Sequence, residues 1–121
     1  LHEHEVVRRK AGMFDVSHMG RFFFRGPQAI EYANHLITND LSRLSDRQLL
    51  YSALCNPEGG IIDDVTVYHL GGEALLVANA ANAARVWEWA QARRPQGDPE
   101  MSGGPGLAGW SGASGLRIAS A

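Results

Sequence analysis

The sequence predicts an α+β fold in which the elements follow the order β-α-β-β-β-α. Residues 48–56, 61–70 and 73–80 are rich in apolar and β-branched side chains and are bounded by turn residues, as strands are. Residues 27–38 and 82–94 instead carry apolar side chains at intervals of three and four, as amphipathic helices do. With 121 residues, the chain has room for one domain with a single modest core.

The elements before the first long helix are short. Residues 3–11 predict a short helix that Gly12 ends, and residues 13–26 predict extended chain with a bend near Gly20. In residues 22–24 three Phe rings occupy both faces of this extended stretch, so Phe23 either packs against a further part of the protein or marks a local irregularity. Pro27 suits the first turn of the helix that follows.

Two turn signals delimit the central strands. Residues 56–60, Asn-Pro-Glu-Gly-Gly, predict a turn before the strand predicted for residues 61–70. Gly71 and Gly72 predict a tight β-hairpin between residues 61–70 and 73–80, because such turns need positive φ angles. Residues 82–94 then predict the closing helix.

The sequence after residue 95 has a different composition. Residues 96–121 contain seven of the fourteen glycines and show neither strand nor helix periodicity. Such a composition buries little apolar area, so we predict a disordered tail beyond a domain of residues 1–95. We also expect this tail to lie outside the sequence pattern of the domain.

Charge and cysteine content exclude several classes of function. The net charge is −2 and no basic run is present, so neither nucleic acid nor an anionic membrane surface is an expected partner. No apolar stretch approaches the 18 residues that suggest a membrane-spanning helix. The single cysteine, Cys55, excludes an intrachain disulfide and favours a reducing compartment, the cytoplasm.

Two adjacent carboxylates lie inside the strand predicted for residues 61–70. Alternation places Asp63 on the face of Val65 and Val67, and Asp64 on the opposite face with Thr66 and Tyr68. We expect Asp63 to accept backbone N–H bonds at the glycine-rich bend, whereas Asp64 belongs to a polar row that can bind a ligand. On spacing alone, the alternative that both carboxylates are structural stays open.

Four stretches of the chain carry a family resemblance: "AGMFDVSHMG", "LITNDLSRL", "YSALCNPEGGIIDDVTVY" and "LLVANAAN". In order and spacing they resemble the N-terminal folate-binding region of the glycine-cleavage T-protein family, the aminomethyltransferases. The resemblance runs from about Val6 to about Arg94. The family fold pairs two β-α-β-β-β-α units that exchange strands, and this chain resembles the first unit only.

The resemblance implies a methylene transfer. Family members take an aminomethyl group from the lipoyl arm of the H-protein, release ammonia and pass the methylene group to tetrahydrofolate. The chain would then be an N-terminal fragment, inactive alone, with lipoylated H-protein and tetrahydrofolate as partners. Two alternatives stay open, the folate-binding module of a demethylating dehydrogenase of the sarcosine or dimethylglycine type, and a non-catalytic folate-binding module.

The same resemblance implies the site residues. Asp64 matches the folate-contacting carboxylate, which would orient an amine, accept its proton and stabilise an iminium-like cation. The expected folate-binding residues are Met19, Tyr51, Asp64, Thr66, Tyr68 and Asn79. Thr66 is included because it shares the strand face of Asp64 and Tyr68, and the others match positions of the family's folate pocket. No metal site is predicted, because no carboxylate or cysteine spacing completes a ligand set with the histidines near the start of the chain.

The fragment character also predicts behaviour in solution. A single unit cut from a paired sheet would leave an unpaired strand edge and uncovered apolar residues, including Leu75 and Val77. Unpaired edges recruit other chains. We therefore expect the isolated chain to self-associate.

Overall fold

The structure, a computed structural model, describes residues 2–96, 100–105 and 117–118. These residues form three α-helices, two single 3₁₀ turns and six strands. The helices are α1 (His2–Arg9), α2 (Ala29–Leu36) and α3 (Ala83–Gln91), and the strands are β1 (Gly20–Arg25), β2 (Gln48–Cys55), β3 (Ile61–Leu70), β4 (Glu73–Ala78), β5 (Glu100–Pro105) and β6 (Arg117–Ile118). From β1 to α3 the predicted α+β order is confirmed.

All six strands belong to one sheet, in the order β5-β1-β4-β3-β2-β6. Every pairing is antiparallel except that of β6, which lies parallel to the start of β2. The β3–β4 hairpin turns at Gly71 and Gly72, whose φ angles are 60° and 94°. This left-handed conformation is open to glycine at little cost, so the predicted hairpin forms where the glycine pair stands.

Helices α2 and α3 cover one face of the sheet. The ring of Phe22 lies 5.6 Å from that of Trp87 on α3, and the ring of Phe24 lies 5.1 Å from that of Tyr32 on α2. Helix α2 buries four residues at helical spacing: Ala29, Tyr32, Ala33 and Leu36. The core therefore lies between these two helices and one face of the sheet. No helix among the described residues is long and apolar enough to cross a membrane.

The opposite face of the sheet carries a second apolar row. By strand register, Phe23 lies beside Leu75, Leu75 beside Tyr68, and Tyr68 beside Leu49. Leu75 is only 4% exposed, so the prediction that it is uncovered is wrong. Its neighbours on two flanking strands enclose it because β4 lies inside the sheet, between β1 and β3. Val77 is half-buried.

The free side of β2 is also occupied. The backbone N–H of Thr38 donates to the carbonyl of Ala53 (3.0 Å), and Nδ2 of Asn39 donates to the carbonyl of Tyr51 (3.1 Å). Strand β6 pairs with the beginning of β2. The predicted unpaired edge is therefore wrong for β2, since the segment after α2 returns to bond its outer carbonyls.

Strand β5 lies in the stretch that was predicted to be disordered. It pairs with β1 along its whole length, from Arg25 opposite Glu100 to Gly20 opposite Pro105. Met101 is 8% exposed and its sulfur lies 3.9 Å from the hydroxyl of Tyr32. The prediction is therefore wrong for residues 100–105. Of the other residues in this stretch, the structure describes residue 96 and the short β6, and the rest of the prediction lies outside the described residues.

The glycine content of β5 is compatible with this pairing. Gly103 has a φ of 139°, and a Cβ placed there would lie 2.1 Å from the carbonyl oxygen of Arg21. Backbone pairing with β1 supplies the hydrogen bonds of the strand, whatever side chains it carries. The absence of a side-chain pattern therefore does not exclude a strand at this edge.

Replacement of Met101 by alanine tests whether β5 is part of the folded core. Truncation of a buried Met typically costs about 2–5 kcal/mol, so the free energy of unfolding should fall by an amount in this range. The matched control is Ser102→Ala at the neighbouring exposed position, which removes one exposed hydrogen bond from Arg25 (2.8 Å) and should change stability by at most about 1 kcal/mol. Urea unfolding of both variants measures the difference, and equal stabilities would contradict the docking of β5.

The raised pKa of Tyr32 leads to a prediction of how the free energy of unfolding changes at alkaline pH. Burial raises the pKa of Tyr32 from 10.0 to about 12, against an opposing attraction from Arg94. Because the pKa is higher in the folded state, the stabilising contribution is complete below pH 10.0 and is lost as the pH rises through about 12. Unfolding measured at a series of pH values should show this loss, and Tyr32→Phe should reduce it. An unchanged pH dependence in Tyr32→Phe would contradict the assignment.

Candidate functional site

The two faces of β3 separate the adjacent aspartates. Asp63 is 2% exposed and lies on the core side with Val65 and Val67, whereas Asp64 is exposed on the other side. This is the predicted alternation. Ile62 departs from this alternation and is buried in the core. The reason is a register shift between Leu54 and Cys55, which places a bulge at the start of β3.

Asp63 binds the segment after β4. Its Oδ2 accepts the backbone N–H of Asn79 (2.8 Å), and its Oδ1 accepts Nδ2 of Asn79 (2.9 Å) and Nδ2 of Asn82 (2.7 Å). The predicted bonds to the glycine-rich bend are wrong. The N–H of Gly60 in that bend instead donates to Oδ1 of Asn56, at 2.6 Å.

Asn79 connects the two aspartates. Besides its bond to Asp63, its Nδ2 lies 3.1 Å from Oδ1 of Asp64 and 3.2 Å from the Asp64 carbonyl oxygen. A primary amide has two hydrogens on nitrogen, so one is directed to Asp63 and the other to Asp64. The atom of this side chain with hydrogen-bonding capacity left for a ligand is its carbonyl oxygen, which is an acceptor.

Tyr51 holds the other oxygen of Asp64. Its hydroxyl donates a short hydrogen bond to Oδ2 of Asp64 across the β2–β3 pair, where the two residues are diagonal neighbours. This bond raises the pKa of Tyr51 above its ordinary 10.0, and desolvation and the charges of Asp64 and Asp63 act in the same direction. The phenol therefore stays protonated at neutral pH and remains a donor. We refer to Tyr51, Asp63, Asp64, Asn79 and Asn82 as the carboxylate–amide cluster.

The remaining predicted site residues adjoin this cluster without a direct bond to it. Thr66 lies opposite Tyr51, and Tyr68 follows on the same face, where desolvation raises the pKa of its phenol. Met19 immediately precedes Gly20, which pairs with Ala78, so the strand register brings Met19 to the side of Asn79. The structure thus brings Tyr51, Asp64 and Asn79 into one bonded group and places Met19, Thr66 and Tyr68 around it.

The carboxylate of Asp64 is stabilised by hydrogen bonds from neutral donors, the Tyr51 hydroxyl and the Asn79 amide. Within the described residues no lysine, arginine or histidine forms an ion pair with Asp63 or Asp64. Arg21 lies two strands from Thr66 by strand register, and its Nη2 donates to the carbonyl of Ser17 (2.6 Å). An exposed carboxylate without a fixed counter-ion can accept a proton or stabilise a cation that develops on a bound ligand.

Two features of the cluster escaped prediction from the sequence. Asn82 is not among the residues that the sequence predicts for the site, and the observed partners of Asp63 differ from the predicted ones. The available signal was the spacing in "NAAN", residues 79–82, which puts two amides one turn apart directly after a strand. In the part of the chain that the structure describes, no group of three or more His, Cys, Asp or Glu side chains could hold a metal ion.

Comparisons with known proteins show which family shares this sequence and fold. The aminomethyltransferase of Thermotoga maritima is 48% identical over 98 residues, which are 80% of this chain and 27% of that protein. The aminomethyltransferase of Staphylococcus haemolyticus is 46% identical over 101 residues, 83% of this chain and 28% of that protein. The chain therefore spans little more than a quarter of the length of the curated relatives it matches.

A solved structure and a family model also match this chain. The crystal structure of glycine cleavage system aminomethyltransferase T from Bartonella henselae superposes with a TM-score of 0.70 at 32% identity, covering 74% of this chain and 25% of that one. The model of the GCVT N-terminal domain matches residues 1–103, a range that continues past the predicted boundary at residue 95 and includes most of β5. By this match over most of its length, the chain belongs to the GCVT N-terminal domain family.

Proposed function

We propose that this chain forms the N-terminal folate-binding part of an aminomethyltransferase of the glycine cleavage system. The reaction would transfer a methylene group from the aminomethyl-lipoyl arm of the H-protein to tetrahydrofolate and release ammonia. The observation that carries the proposal is the exposed carboxylate of Asp64, which two neutral donors, Tyr51 and Asn79, hold on the ligand side of the sheet. The names of the relatives favour this reaction over that of a demethylating dehydrogenase.

The residues of the site fit a reduced pterin. Three of its ring nitrogens and its amino group carry N–H donors, and the site offers acceptors to such groups, the carboxylate of Asp64 and the carbonyl oxygen of Asn79. Tyr51 and Tyr68 provide flat aromatic surface beside these acceptors, and Met19 provides an adaptable apolar one. Thr66 lies between the two tyrosines and can donate or accept.

Asp64 would act on the amine of the folate during transfer. Its carboxylate would orient the attacking nitrogen, accept the proton that this nitrogen loses and stabilise the positive charge on the methylene carbon. Proton transfer by a positioned base contributes about 10²–10⁴-fold to a rate. Tyr51 and Asn79 each bind one oxygen of Asp64, so they limit the rotation of the carboxylate away from the ligand.

The proposal also includes a partner protein and a compartment. The lipoylated H-protein would deliver the aminomethyl group, and the cytoplasm is the compartment that the single cysteine favours. The tail is a separate matter, since the family match reaches residue 103. We propose that any sequence foreign to the domain begins after that residue rather than at residue 96.

Replacement of Asp64 by asparagine tests the reaction, in the complete protein that carries this domain. Asparagine keeps the shape but cannot take up a proton or balance a cation, so turnover should fall by about a hundredfold or more. Affinity for tetrahydrofolate should change far less, because the substituted amide retains an acceptor. Ammonia release and equilibrium binding measure the two quantities.

The control for this variant is Glu58→Gln, which removes one exposed carboxylate in the turn before β3. Its turnover should stay within about twofold of the unmodified protein, since surface changes away from a site have little effect. Equal losses in both variants, or no loss in Asp64→Asn, would refute the assignment of Asp64. Folate binding without turnover in the unmodified complete protein would support a non-catalytic folate-binding module instead.

The 121-residue chain alone should self-associate and release no ammonia. Self-association is expected because Phe23 and Leu49 of the apolar row, and Val77 beside that row, are only half-buried on the ligand side of the sheet. Absence of turnover is expected because the chain spans little more than a quarter of the length of its relatives. Sizing chromatography and an ammonia assay with aminomethyl-loaded H-protein measure both properties. Val77→Lys should lower the apparent mass, whereas a monomeric chain with measurable turnover would contradict the expectation.

A further inference from the structure

Asp63 faces away from the ligand side of the sheet, yet it binds two other members of the carboxylate–amide cluster, Asn79 and Asn82. A buried carboxylate without donors would cost several kcal/mol, and Asp63, at 2% exposure, accepts three N–H groups. All three donors are neutral and come from Asn79 and Asn82. Its bonds therefore determine the conformation of residues 79–82.

The bond from Asp63 determines which way the Asn79 amide faces. A carboxylate only accepts hydrogen bonds, so the atom of Asn79 that faces it at 2.9 Å must be nitrogen. With nitrogen on that side, the second amide hydrogen reaches Asp64. If the amide were reversed, its carbonyl oxygen would face two carboxylates and be repelled by both.

We propose that Asp63 is a positioning residue for Asp64 and acts through the side-chain amide of Asn79. The inference rests on the proposed function, since it concerns how Asp64 is held for the transfer. Asp63 fixes the amide, the amide holds Oδ1 of Asp64, and Tyr51 holds Oδ2. The carboxylate is thereby fixed from both sides without a cation that would compete with a positively charged intermediate.

The same arrangement determines the polarity of the site. Because both amide hydrogens of Asn79 are used inside the cluster, Asn79 meets a ligand with its carbonyl oxygen. The two groups that the cluster presents to a ligand, this oxygen and the carboxylate of Asp64, are acceptors. The site therefore selects a ligand edge that carries N–H donors, and Asp63 maintains that selectivity.

The test compares Asp63→Asn with Asn34→Ala, in the complete protein that carries this domain. In Asp63→Asn the new NH₂ group opposes the donors of Asn79 and Asn82, so the Asn79 amide loses its fixed orientation. Misplacement of a catalytic group by about 1 Å can cost on the order of a hundredfold, so kcat should fall about tenfold to a hundredfold. The KM for tetrahydrofolate should change less than kcat does.

Asn34→Ala is the matched control. Oδ1 of Asn34 on α2 accepts the backbone N–H of Leu41, at 2.6 Å, and Asn34 lies outside the carboxylate–amide cluster. Its removal leaves a backbone donor without this partner and so lowers stability, but should leave kcat within about twofold. Thermal unfolding shows the folded fraction of each variant at the assay temperature. If Asn34→Ala loses as much kcat as Asp63→Asn at equal folded fractions, the role of Asp63 is structural and the inference is wrong.

A double-mutant cycle separates a positioning role from an independent one. If Asp63 acts through Asp64, then Asp63→Asn combined with Asp64→Asn should be no slower than Asp64→Asn alone. Multiplied losses would overturn the inference. Should Asp63→Asn fail to fold, Asn79→Ala takes its place in the cycle, because the backbone N–H bond of residue 79 to Asp63 does not depend on its side chain.

The cycle also distinguishes failure of this inference from failure of the proposed function. If Asp64→Asn leaves turnover unchanged, the proposed reaction role of Asp64 is wrong and the positioning role of Asp63 falls with it. If Asp64→Asn lowers turnover but Asp63→Asn does not, only the inference about Asp63 is wrong. A loss in both single variants with no further loss in the double variant supports both.

Discussion

The buried carboxylate of Asp63 is the constraint on which both the core and the ligand side of the sheet depend. It lies near the beginning of β3, and its three donors lie between the end of β4 and the beginning of α3. Because a buried carboxylate must be satisfied, the chain after β4 is held against β3 before the helix begins. Helix α3 then packs on the sheet, with Val86 in the core and Trp87 against Phe22.

The two faces of the sheet differ in what they contact and in what they contribute. One face is closed by α2 and α3 and provides the stability of the unit. The other carries an apolar row beside the exposed Asp64, with aromatic and hydroxyl groups on neighbouring strands. Strand β3 is paired on both sides, with β2 and β4, so backbone hydrogen bonds hold both edges of the strand that carries Asp64, as the precise placement needed for proton transfer requires.

The candidate site was predictable as far as strand alternation reaches. The spacing in β3 separates Asp63 from Asp64, and Tyr51 and Asn79 were proposed through the family resemblance. The bonds among these residues were not predictable, since Asp63 and Asn79 are far apart in sequence and meet only when β3 and β4 pair. Ile62 shows the same limit, because the bulge that turns it into the core depends on how β2 and β3 align.

By itself the sequence determined the α+β class, the hairpin at Gly71 and Gly72 and the side of β3 to which each aspartate points. These features depend on local backbone preferences and on the period of two residues in a strand. Only the tertiary structure decided that residues 100–105 form β5, that Leu75 is enclosed, and that Asp63 bonds Asn79 rather than the glycine-rich bend. Each of these depends on contacts between distant segments, because backbone pairing, burial and hydrogen-bond partners are properties of the assembled sheet.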